Sequence, residues 1–429
     1  MFNYQKTVNE IFDLQQYAIK LGLDNIQALM KELGNPHQAY PVIHIAGTNG
    51  KGSTSFFIAK ILENTGLKVG LYTSPHLADF RERIQVNGAQ ISEEGVIDFW
   101  QQIKTAVLAR KATFFDTTTA MAFNYFHNQQ VDVAVIETGL GGRLDSTNIV
   151  NPKIAVITPI HFDHEKQLGG TLEQIAGEKA GIIKKGTTVI SAEQNYEALN
   201  VLKKKSTIAE SFIYLPGVLN VELLSDSLEG MIFSLKDDYN QQIFKTLHCR
   251  QLGDFQLNNI AAAYFTSRMY MENTGITFKT DQFEKAVTEN QWAGRLQLIR
   301  KKPNIIFDVS HNFIGIQKTL HYLSGLINSE SLHILIGLVQ DKDYLSIAEV
   351  ISQYAREIII TEPDTHRKLD GQLLVSALKK SKSRIKLIKD LNEAYESCIK
   401  QLHGKDTLLV IGSHYLIGAL LKNQNNLTY

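Results

Sequence analysis

The sequence has 429 residues, in which 44 Lys and Arg balance 44 Asp and Glu to a formal net charge of zero. This length predicts roughly two or three domains, and a hydrophobic content of 44% is enough to fill their cores. The balanced charge argues against a dedicated nucleic-acid or anionic-membrane binder, and no apolar run is long enough to span a bilayer. Two cysteines far apart argue against a disulfide framework. We therefore expect a soluble cytoplasmic protein.

The N-terminal part of the chain is predicted to combine helices with a strand–turn–helix unit. In the first forty residues, helix is indicated by apolar positions at helical spacing, namely Ile11, Leu14, Ile19, Leu21 and Leu29. The next predicted elements are a strand at 42–46, a glycine-rich turn, a helix from 53 to about 64 and a strand at 69–72. This order is the βαβ unit of a parallel sheet.

Alternation of strands and helices continues through the rest of the chain. Continuous apolar runs, typical of strands buried on both faces, occur at 132–136, 154–157, 189–190, 305–307, 334–336, 358–360, 385–387 and 408–411. Helix-length segments such as 171–183 separate these runs, whereas residues 196–250 alternate too weakly to interpret. We expect an α/β protein of two domains, with a mainly parallel sheet in residues 1–295 and a smaller, Rossmann-like doubly wound sheet in residues 296–429. A site between the domains is then expected.

A glycine-rich motif lies between the first predicted strand and the helix that follows it. It reads Gly47-Thr48-Asn49-Gly50-Lys51-Gly52-Ser53-Thr54. Glycines let backbone N–H groups approach phosphate oxygens, and a helix N-terminus favours an anion. Lys51 can contribute a charge to the β- and γ-phosphates, and Ser53 or Thr54 a hydroxyl to Mg²⁺. A structural turn is the alternative to nucleotide binding, because Ile45 replaces the first glycine of the general P-loop and Gly52 replaces its Ser/Thr.

Matches to one known family extend from this motif over nearly the whole chain. Residues 47–51 resemble the shifted P-loop of the Mur ligase superfamily. LGNPH at 33–37 and HIAGTNGKGS at 44–53 resemble its folylpolyglutamate synthase/dihydrofolate synthase branch. Further matching stretches, in family order, are YTSPHL at 72–77, ERI at 82–84, ETGLGGRLD at 137–145, DH at 163–164, EKAGI at 178–182, GRL at 294–296, DVSHN at 308–312, DKD at 341–343 and GSHY at 412–415.

The resemblance implies ATP-dependent formation of an amide bond in folate biosynthesis. A pteroate or folate carboxylate takes the γ-phosphoryl group of ATP, and the amino group of L-glutamate attacks the resulting acyl phosphate. The protein then has to position the reactants, neutralise phosphoryl charge and exclude water. The implied enzyme adds glutamate to dihydropteroate, to tetrahydrofolate (poly)glutamates or to both, and we favour an enzyme with both activities. Since the sequence has no long coiled-coil pattern, we expect a monomer.

The resemblance also assigns residues to the nucleotide and metal sites. Its nucleotide set is Thr48, Asn49, Gly50, Lys51, Gly52, Ser53, Thr54, Asn259, Arg295 and Asp308. Its metal ligands are Ser53, Ser74, Glu137 and His164. This set implies Mg²⁺ at two sites and leaves K⁺ open as a further cation. Its catalytic residues are Lys51, His164 and Lys179, of which Lys179 is carbamylated by CO₂.

Three of these assignments have structural alternatives. Glu137 could cap a helix or form a salt bridge, although its place directly after an apolar strand is typical of α/β sites. His164 could be a hydrogen-bonded loop residue, since the adjacent Asp163 is the more usual kind of Mg²⁺ ligand. Lys179 could pair with Glu178 or with another surface acid on a helix.

Substrate contacts are implied at two further places. The pterin set is Phe114, Phe115, Asp116, Leu144, Asp145 and Ser146, and core packing is the alternative for its phenylalanines. The glutamate set is His311, Ser413 and Tyr415, for which packing and capping are the alternatives. Two residues depart from the family pattern: Asp116 stands in place of a glutamate, and Phe255 in place of a histidine near the adenine.

Two rival functions remain open at this point. A P-loop nucleotide switch would bind ATP without glutamate-dependent phosphate release. A peptidoglycan-precursor Mur ligase would need a UDP-binding domain before the P-loop, and the 46 residues preceding Gly47 are too few for one. A folylpolyglutamate synthase without dihydrofolate synthase activity is an alternative within the same branch.

Overall fold

The computed structural model describes residues 3–17 and 22–425. Ile19 and Leu21 of the expected N-terminal helix lie outside these residues. In the described ranges the chain forms a large N-terminal sheet, a small antiparallel sheet and a C-terminal sheet, as expected for an α/β protein.

Strands of the N-terminal sheet run through the first half of the chain. They are β1 (Val42–Ala46), β2 (Val69–Tyr72), β3 (Ile84–Val86), β4 (Ala89–Gln90), β5 (Val133–Glu137), β6 (Ile154–Ile157), β7 (Thr188–Ser191) and β8 (Ile213–Tyr214). Their order is β4-β3-β2-β5-β1-β6-β7-β8, parallel except for β3 and β4. Every residue of β1, β5 and β6 is buried, because helices cover both faces of a parallel sheet.

The helices of this region precede, connect and follow those strands. They are α1 (Tyr4–Asp13), α2 (Asp24–Glu32), α3 (Lys51–Glu63), α4 (Glu93–Arg110), α5 (Phe114–Asn128), α6 (Glu165–Leu168), α7 (Leu172–Lys179), α8 (Tyr196–Ile208), α9 (Asp254–Thr274) and α10 (Thr280–Glu289). The helix expected over 171–183 is shorter than predicted, since α7 ends at Lys179 and a 3₁₀ turn, Ala180–Ile182, follows it.

A small antiparallel sheet occupies most of the region that the sequence left uninterpreted. Its strands are β9 (Leu219–Ser227), β10 (Gly230–Asp237) and β11 (Gln242–Cys249), in the order β11-β10-β9. α9 packs against β9, and α10 packs against β11. β9 has no fully buried residue, which explains why its sequence lacks a clear apolar pattern.

The C-terminal sheet is mixed, with one antiparallel edge strand. Its strands are β12 (Gln297–Arg300), β13 (Asn304–Asp308), β14 (Leu332–Ile336), β15 (Glu357–Ile360), β16 (Arg384–Leu387) and β17 (Thr407–Ile411), in the order β12-β13-β17-β14-β15-β16. β12 is antiparallel to β13, and the others are parallel. The accompanying helices are α11 (Phe313–Ser324), α12 (Tyr344–Ile351), α13 (Gly371–Ala377), α14 (Leu391–Gln401) and α15 (His414–Asn425).

A continuous apolar core joins the N-terminal and C-terminal sheets. One cluster of buried residues extends from Ile45 and Phe57 through Leu257 on α9 to Leu296 and Ile306. The carboxyl ends of β1, β5 and β13 therefore face a shared crevice, the usual position of a site in α/β proteins. Across the described parts of the chain, we find no helix with the length and apolar character needed to cross a membrane.

Candidate active site

The loop between β1 and α3 has a conformation that requires glycine at two positions. Gly50 has φ = 89°, and a Cβ atom there would lie 2.4 Å from Asn259 Oδ1. A Cβ atom on Gly47 would overlap the Thr158 hydroxyl. Glycine at both positions lets the chain turn from β1 into α3 while passing close to its neighbours.

Thr48 anchors this loop to the segment after β6. Its hydroxyl donates to His161 O at 3.0 Å and accepts from His161 N at 3.1 Å. Gly50, at the start of α3, has no side chain that could cap the helix. The N–H groups of the first turn are therefore available to an anion. Lys51 Nζ lies beside them and donates to Thr48 O at 3.2 Å.

The same loop forms one wall of a cavity of about 210 Å³, which we call the nucleotide cavity. From the expected nucleotide set it is lined by Thr48, Asn49, Gly50, Lys51, Gly52, Ser53, Asn259 and Arg295. The four expected metal ligands, Ser53, Ser74, Glu137 and His164, also line it, together with Lys179. Residues far apart in the sequence thus meet where the carboxyl ends of β1 and β5 face α9.

Glu137, the last residue of β5, presents a buried carboxylate to the nucleotide cavity. It is 3% exposed, and its Oε2 accepts a hydrogen bond from Ser74 N at 3.0 Å, whereas no described residue donates to its other oxygen. Burial raises the pKa of Glu137, and Lys51 acts in the opposite direction. Among the described residues, no group of three or more His, Cys, Asp or Glu side chains could hold a metal ion by itself.

Asp163 and His164 lie where the segment after β6 meets the C-terminal sheet. The Asp163 carboxylate accepts from Lys342 Nζ at 2.9 Å and from Asn312 Nδ2 at 3.3 Å. Burial tends to raise the pKa of Asp163, but His164 and Lys342 together hold it below its ordinary range. Asn312 Nδ2 also donates to Asn49 Oδ1 at 3.0 Å. The loop between β13 and α11 is therefore hydrogen-bonded directly to the glycine-rich loop.

Lys179, at the end of α7, is buried within reach of the same loop. It is 4% exposed, and its Nζ donates to Gly47 O at 2.7 Å. Burial, reinforced by the nearby charge of Lys51, lowers the pKa of Lys179 to about 7. The alternative of a surface ion pair is wrong, because Lys179 is buried and bonded to Gly47 O. Glu178 pairs instead with Arg143 at 2.8 Å.

A second cavity, of about 520 Å³, adjoins the first, and we call it the basic cavity. Its walls carry the cationic side chains Arg83, Lys342 and Arg367 and the expected glutamate set, His311, Ser413 and Tyr415. The two cavities share the lining residues Pro75, His164, His311 and His414. Burial lowers the pKa of His311 to about 4, so this shared wall carries a neutral imidazole at neutral pH.

Comparison with known proteins identifies the family to which these cavities belong. Residues 45–267 match the Mur ligase middle domain, and residues 294–414 match the Mur ligase glutamate ligase domain. The chain is 32% identical to the dihydrofolate synthase/folylpolyglutamate synthase of Bacillus subtilis (strain 168), over 98% of each chain. The chain belongs to the folylpolyglutamate synthase/dihydrofolate synthase family of Mur ligases.

Two other relatives agree with this family. The folylpolyglutamate synthase of Lacticaseibacillus casei is 33% identical over 86% of this chain and 87% of the relative. The structure of Mycobacterium tuberculosis folylpolyglutamate synthase complexed with ADP superposes with a TM-score of 0.89 at 27% identity, covering 98% of this chain and 99% of that chain. As a member of this family of Mur ligases, the chain is an ATP-dependent ligase of folate metabolism.

The structure does not bring the expected pterin set of the family to either cavity. Asp116 accepts from Thr113 N at 3.0 Å and from the Ser146 hydroxyl at 2.6 Å, so it caps α5 and fixes the turn after β5. Asp145 accepts from Leu140 N at 2.8 Å. Local hydrogen bonds therefore occupy the carboxylates that were expected to contact the substrate.

The aromatic and apolar members of that set pack against neighbouring side chains or lie away from the cavities. The Phe115 ring fills the space beside Gly139, where a Cβ atom would lie 2.4 Å from it. Phe114 stacks on Phe12, with ring centroids 5.4 Å apart. Leu144 is partly buried and lines neither cavity.

Two members of the expected nucleotide set lie behind the cavity wall. Asp308 accepts from Leu296 N at 2.8 Å and from Ser310 N at 2.9 Å, so it holds the backbone next to Arg295. Thr54 is fully buried, and its hydroxyl has no hydrogen-bond partner among the described residues. Neither side chain lines the nucleotide cavity.

Sequence reasoning missed several residues of the basic cavity. Phe12, His76, Arg83, Lys342 and Arg367 line it, yet no role was assigned to any of them. Three of these lie within stretches that match the family: His76 in YTSPHL, Arg83 in ERI and Lys342 in DKD. The order of the matching motifs places these residues in the sequence, but it does not show which of their side chains face a cavity.

Proposed function

We propose that this chain joins L-glutamate both to dihydropteroate and to tetrahydrofolate (poly)glutamates through an acyl phosphate. The observation that carries this proposal is the shared wall between the nucleotide cavity and the basic cavity. A triphosphate in the first cavity and a substrate carboxylate in the second can meet there. The name of the Bacillus subtilis relative, aligned over 98% of each chain, includes both activities.

A second candidate is a folylpolyglutamate synthase without dihydrofolate synthase activity. The Lacticaseibacillus casei relative, which is equally similar in sequence, carries only the folylpolyglutamate synthase name. The two candidates share the same chemistry and differ only in the acceptor, so turnover with dihydropteroate separates them.

The proposed reaction needs two bond exchanges on one carboxyl group. A carboxylate oxygen attacks the γ-phosphorus of ATP, an O–P bond forms, and ADP leaves. The glutamate nitrogen then attacks the acyl carbon, a C–N bond forms, the C–O bond to the phosphoryl group breaks, and inorganic phosphate leaves while nitrogen releases its proton. Catalysis of such transfers is mainly positioning and charge stabilisation.

Residues of the nucleotide cavity supply that positioning in our proposal. Lys51, Arg295 and the first-turn N–H groups of α3 hold the triphosphate, and Asn259 lies beside the base. Asp308 acts through the backbone next to Arg295 rather than on the ribose. In the basic cavity, His311, Ser413 and Tyr415 contact L-glutamate. Ser413 also caps α15, because its hydroxyl accepts from Leu416 N at 3.1 Å.

Mg²⁺ fits the donor groups of the nucleotide cavity. Glu137 offers a buried carboxylate oxygen to which no residue in the described ranges donates, and Ser53 and Ser74 line the same cavity. Oxygen ligands, including phosphate oxygens, are those that Mg²⁺ prefers. His164 completes the proposed set. Bound Mg²⁺ would neutralise phosphoryl charge; a second Mg²⁺ and K⁺ stay predictions.

Carbamylation of Lys179 is supported by its environment. With its pKa lowered to about 7, a substantial fraction of the amine is neutral near pH 7 and can attack CO₂. The neutral amine forms an N–C bond to CO₂ and loses one proton, which gives a carbamate anion; starting from the ammonium form, two protons are released. This anion would lie next to Gly47, at the base of the glycine-rich loop.

We also propose a cytoplasmic monomer that acts on small molecules and does not bind nucleic acid. The zero net charge supports the absence of a nucleic-acid partner. Cys249 and Cys398 are both free and buried, as is usual in a reducing compartment.

Phosphate release tests the proposed function directly. The protein is assayed with Mg-ATP and L-glutamate, and with dihydropteroate, with tetrahydrofolate or without an acceptor. We expect release with each acceptor and only background release without one. Release with tetrahydrofolate alone would select the second candidate, and no stimulation by either acceptor would refute the ligase assignment.

A further inference from the structure

Arg83 is a buried cation on the wall of the basic cavity. It ends the 3₁₀ helix Phe80–Arg83 and directly precedes β3. The residue is only 6% exposed, yet its side chain lines a cavity of about 520 Å³. A buried charge normally has a counter-ion, because isolating an ion from water is costly.

No carboxylate forms an ion pair with Arg83 in the described parts of the chain. Its Nε donates to His76 Nδ1 at 2.8 Å, and its guanidinium carbon lies 5.1 Å from the centre of the Phe114 ring. Neither partner carries negative charge. The His76 Nδ1 atom accepts this hydrogen bond, so it carries no proton of its own and supplies a lone pair, not a charge, to Arg83.

Two acidic side chains, Glu82 and Glu137, act on Arg83 electrostatically, but neither forms an ion pair with it among the described residues. Glu82, the preceding residue, accepts hydrogen bonds from the backbone N–H groups of 77–79 at 2.7 to 2.9 Å. Glu137 influences Arg83 electrostatically but forms no ion pair with it, and its free oxygen belongs to the nucleotide cavity.

The other cations on this wall are paired, which sets Arg83 apart. Lys342 Nζ lies 2.9 Å from Asp163 Oδ1, and an Arg367 nitrogen lies 2.8 Å from Asp341 Oδ1. A guanidinium group has five N–H donors in a planar fork that matches a carboxylate with two parallel hydrogen bonds. Among the described residues, Arg83 donates a hydrogen bond only through Nε, so its two Nη groups remain for a ligand.

We propose that Arg83 binds a carboxylate of the substrate, with His76 and Phe114 holding its guanidinium in place. This inference rests on the proposed function, because both the pterin acceptor and L-glutamate carry carboxylates. A mere structural role for Arg83 would involve only His76 and Phe114 and would leave substrate affinity unchanged.

Steady-state kinetics of Arg83→Gln test the proposal, with Arg81→Gln as the matched control. Arg81 lies two residues away, but it is paired with Asp79 at 2.8 Å and does not line the basic cavity. KM is measured separately for tetrahydrofolate, L-glutamate and ATP. Since a hydrogen bond to a charged group contributes substantially, Arg83→Gln should raise one carboxylate substrate's KM at least about tenfold, with the ATP KM within about twofold.

The affected substrate identifies the source of the carboxylate. A raised KM for tetrahydrofolate assigns Arg83 to the acceptor, and a raised KM for L-glutamate assigns it to the incoming amino acid. Arg81→Gln should leave all three values within about twofold. The proposal is overturned if folded Arg83→Gln leaves both carboxylate KM values unchanged, or if only the ATP KM rises.

Two further controls keep these outcomes separate. Thermal unfolding shows whether Arg83→Gln is folded; if it is not, Arg83→Lys replaces it and should also raise the KM, because an ammonium group cannot form the two-pronged contact. Wild-type protein assayed in parallel tests the proposed function. Inactive wild-type protein refutes the ligase, whereas active wild-type with an unaffected variant refutes only the role of Arg83.

Discussion

At the scale of single residues, burial decides the chemistry of Lys179. Its amine lies beside the glycine-rich loop, donates to Gly47 O and is 4% exposed. In water the ammonium form would dominate at neutral pH. In the folded protein the lowered pKa makes the neutral, nucleophilic form accessible. The same shift makes the stability of the protein depend on pH.

We predict that Lys179→Met stabilises the protein relative to wild type, and that this difference shrinks as pH rises. The folded-state pKa of Lys179 is lowered from 10.5 to about 7. Between these two values the unfolded chain binds more protons than the folded chain, so wild-type stability rises with pH, and it falls as pH drops towards 7. Thermal unfolding of both proteins in CO₂-depleted buffer from pH 7 to 10 measures the difference in stability. A stability difference that does not change with pH would contradict the prediction.

Single residues also show how much of the site could be predicted from the sequence. Motif matches placed Lys51, Glu137 and Lys179 in one site, and all three line the nucleotide cavity. The same matches put Asp116 and Asp145 at the pterin, but hydrogen bonds to nearby donors occupy both carboxylates. Position in a motif does not reveal the partner of a side chain, which depends on packing.

At the scale of elements, the two glycines that flank α3, Gly50 and Gly66, have similar backbone angles but different surroundings. Gly50 needs both a positive φ and space, because a Cβ atom would meet Asn259 Oδ1. Gly66, just after α3, has nearly the same φ, 92°, but nothing lies within 4 Å of its Cβ position. A side chain at either position would strain the backbone, but only a side chain at position 50 would also overlap a neighbour.

We predict that Gly50→Ala impairs ATP use, whereas Gly66→Ala lowers only stability. Each substitution places an L side chain in the left-handed region, at a cost of about 1 kcal/mol or more. Gly50→Ala should additionally displace Asn259 and raise the ATP KM by about tenfold or more. Urea unfolding and ATP kinetics measure both effects. Equal ATP KM values in the two variants would show that Asn259 and the loop need not be in contact.

Elements differed in how well the sequence predicted them. β1, β2 and β6 have the predicted bounds, because every residue of each is apolar or buried and the turns contain Gly or Pro. β9 was missed because it is largely exposed and pairs only within a small sheet. Its strand conformation comes from antiparallel pairing with β10, a contact that its own periodicity does not encode.

At the scale of the whole molecule, the site depends on contacts between segments far apart in the chain. Asp163 and Lys342 are 179 residues apart, and they join the segment after β6 to the C-terminal sheet. Local spacing cannot predict such a pair. It becomes visible only when the two sheets are packed together.

We predict strong coupling between Asp163 and Lys342. Asp163→Asn leaves Lys342 with only the more distant Asp341, at 3.7 Å, and Lys342→Met removes the cation that donates to the partly buried Asp163 carboxylate. Each single variant should therefore destabilise the protein by about 1–3 kcal/mol. The double variant should lose less than the sum, with a coupling of about 1 kcal/mol or more by urea unfolding. The exposed pair Lys301–Glu229, with an N–O distance of 2.7 Å, is the matched control and should show a much smaller coupling, because solvent screens exposed ion pairs. Additive effects at Asp163 and Lys342 would contradict the prediction.

Formation of an acyl phosphate on the acceptor can be tested by following one oxygen atom from the acceptor carboxylate into the released phosphate. Tetrahydrofolate labelled with ¹⁸O in its glutamate γ-carboxylate is turned over with unlabelled ATP and L-glutamate, and the released phosphate is analysed by mass spectrometry. An acyl phosphate formed where the two cavities meet predicts one ¹⁸O atom in each phosphate released. Unlabelled phosphate, released together with the amide product, would contradict the acyl-phosphate mechanism.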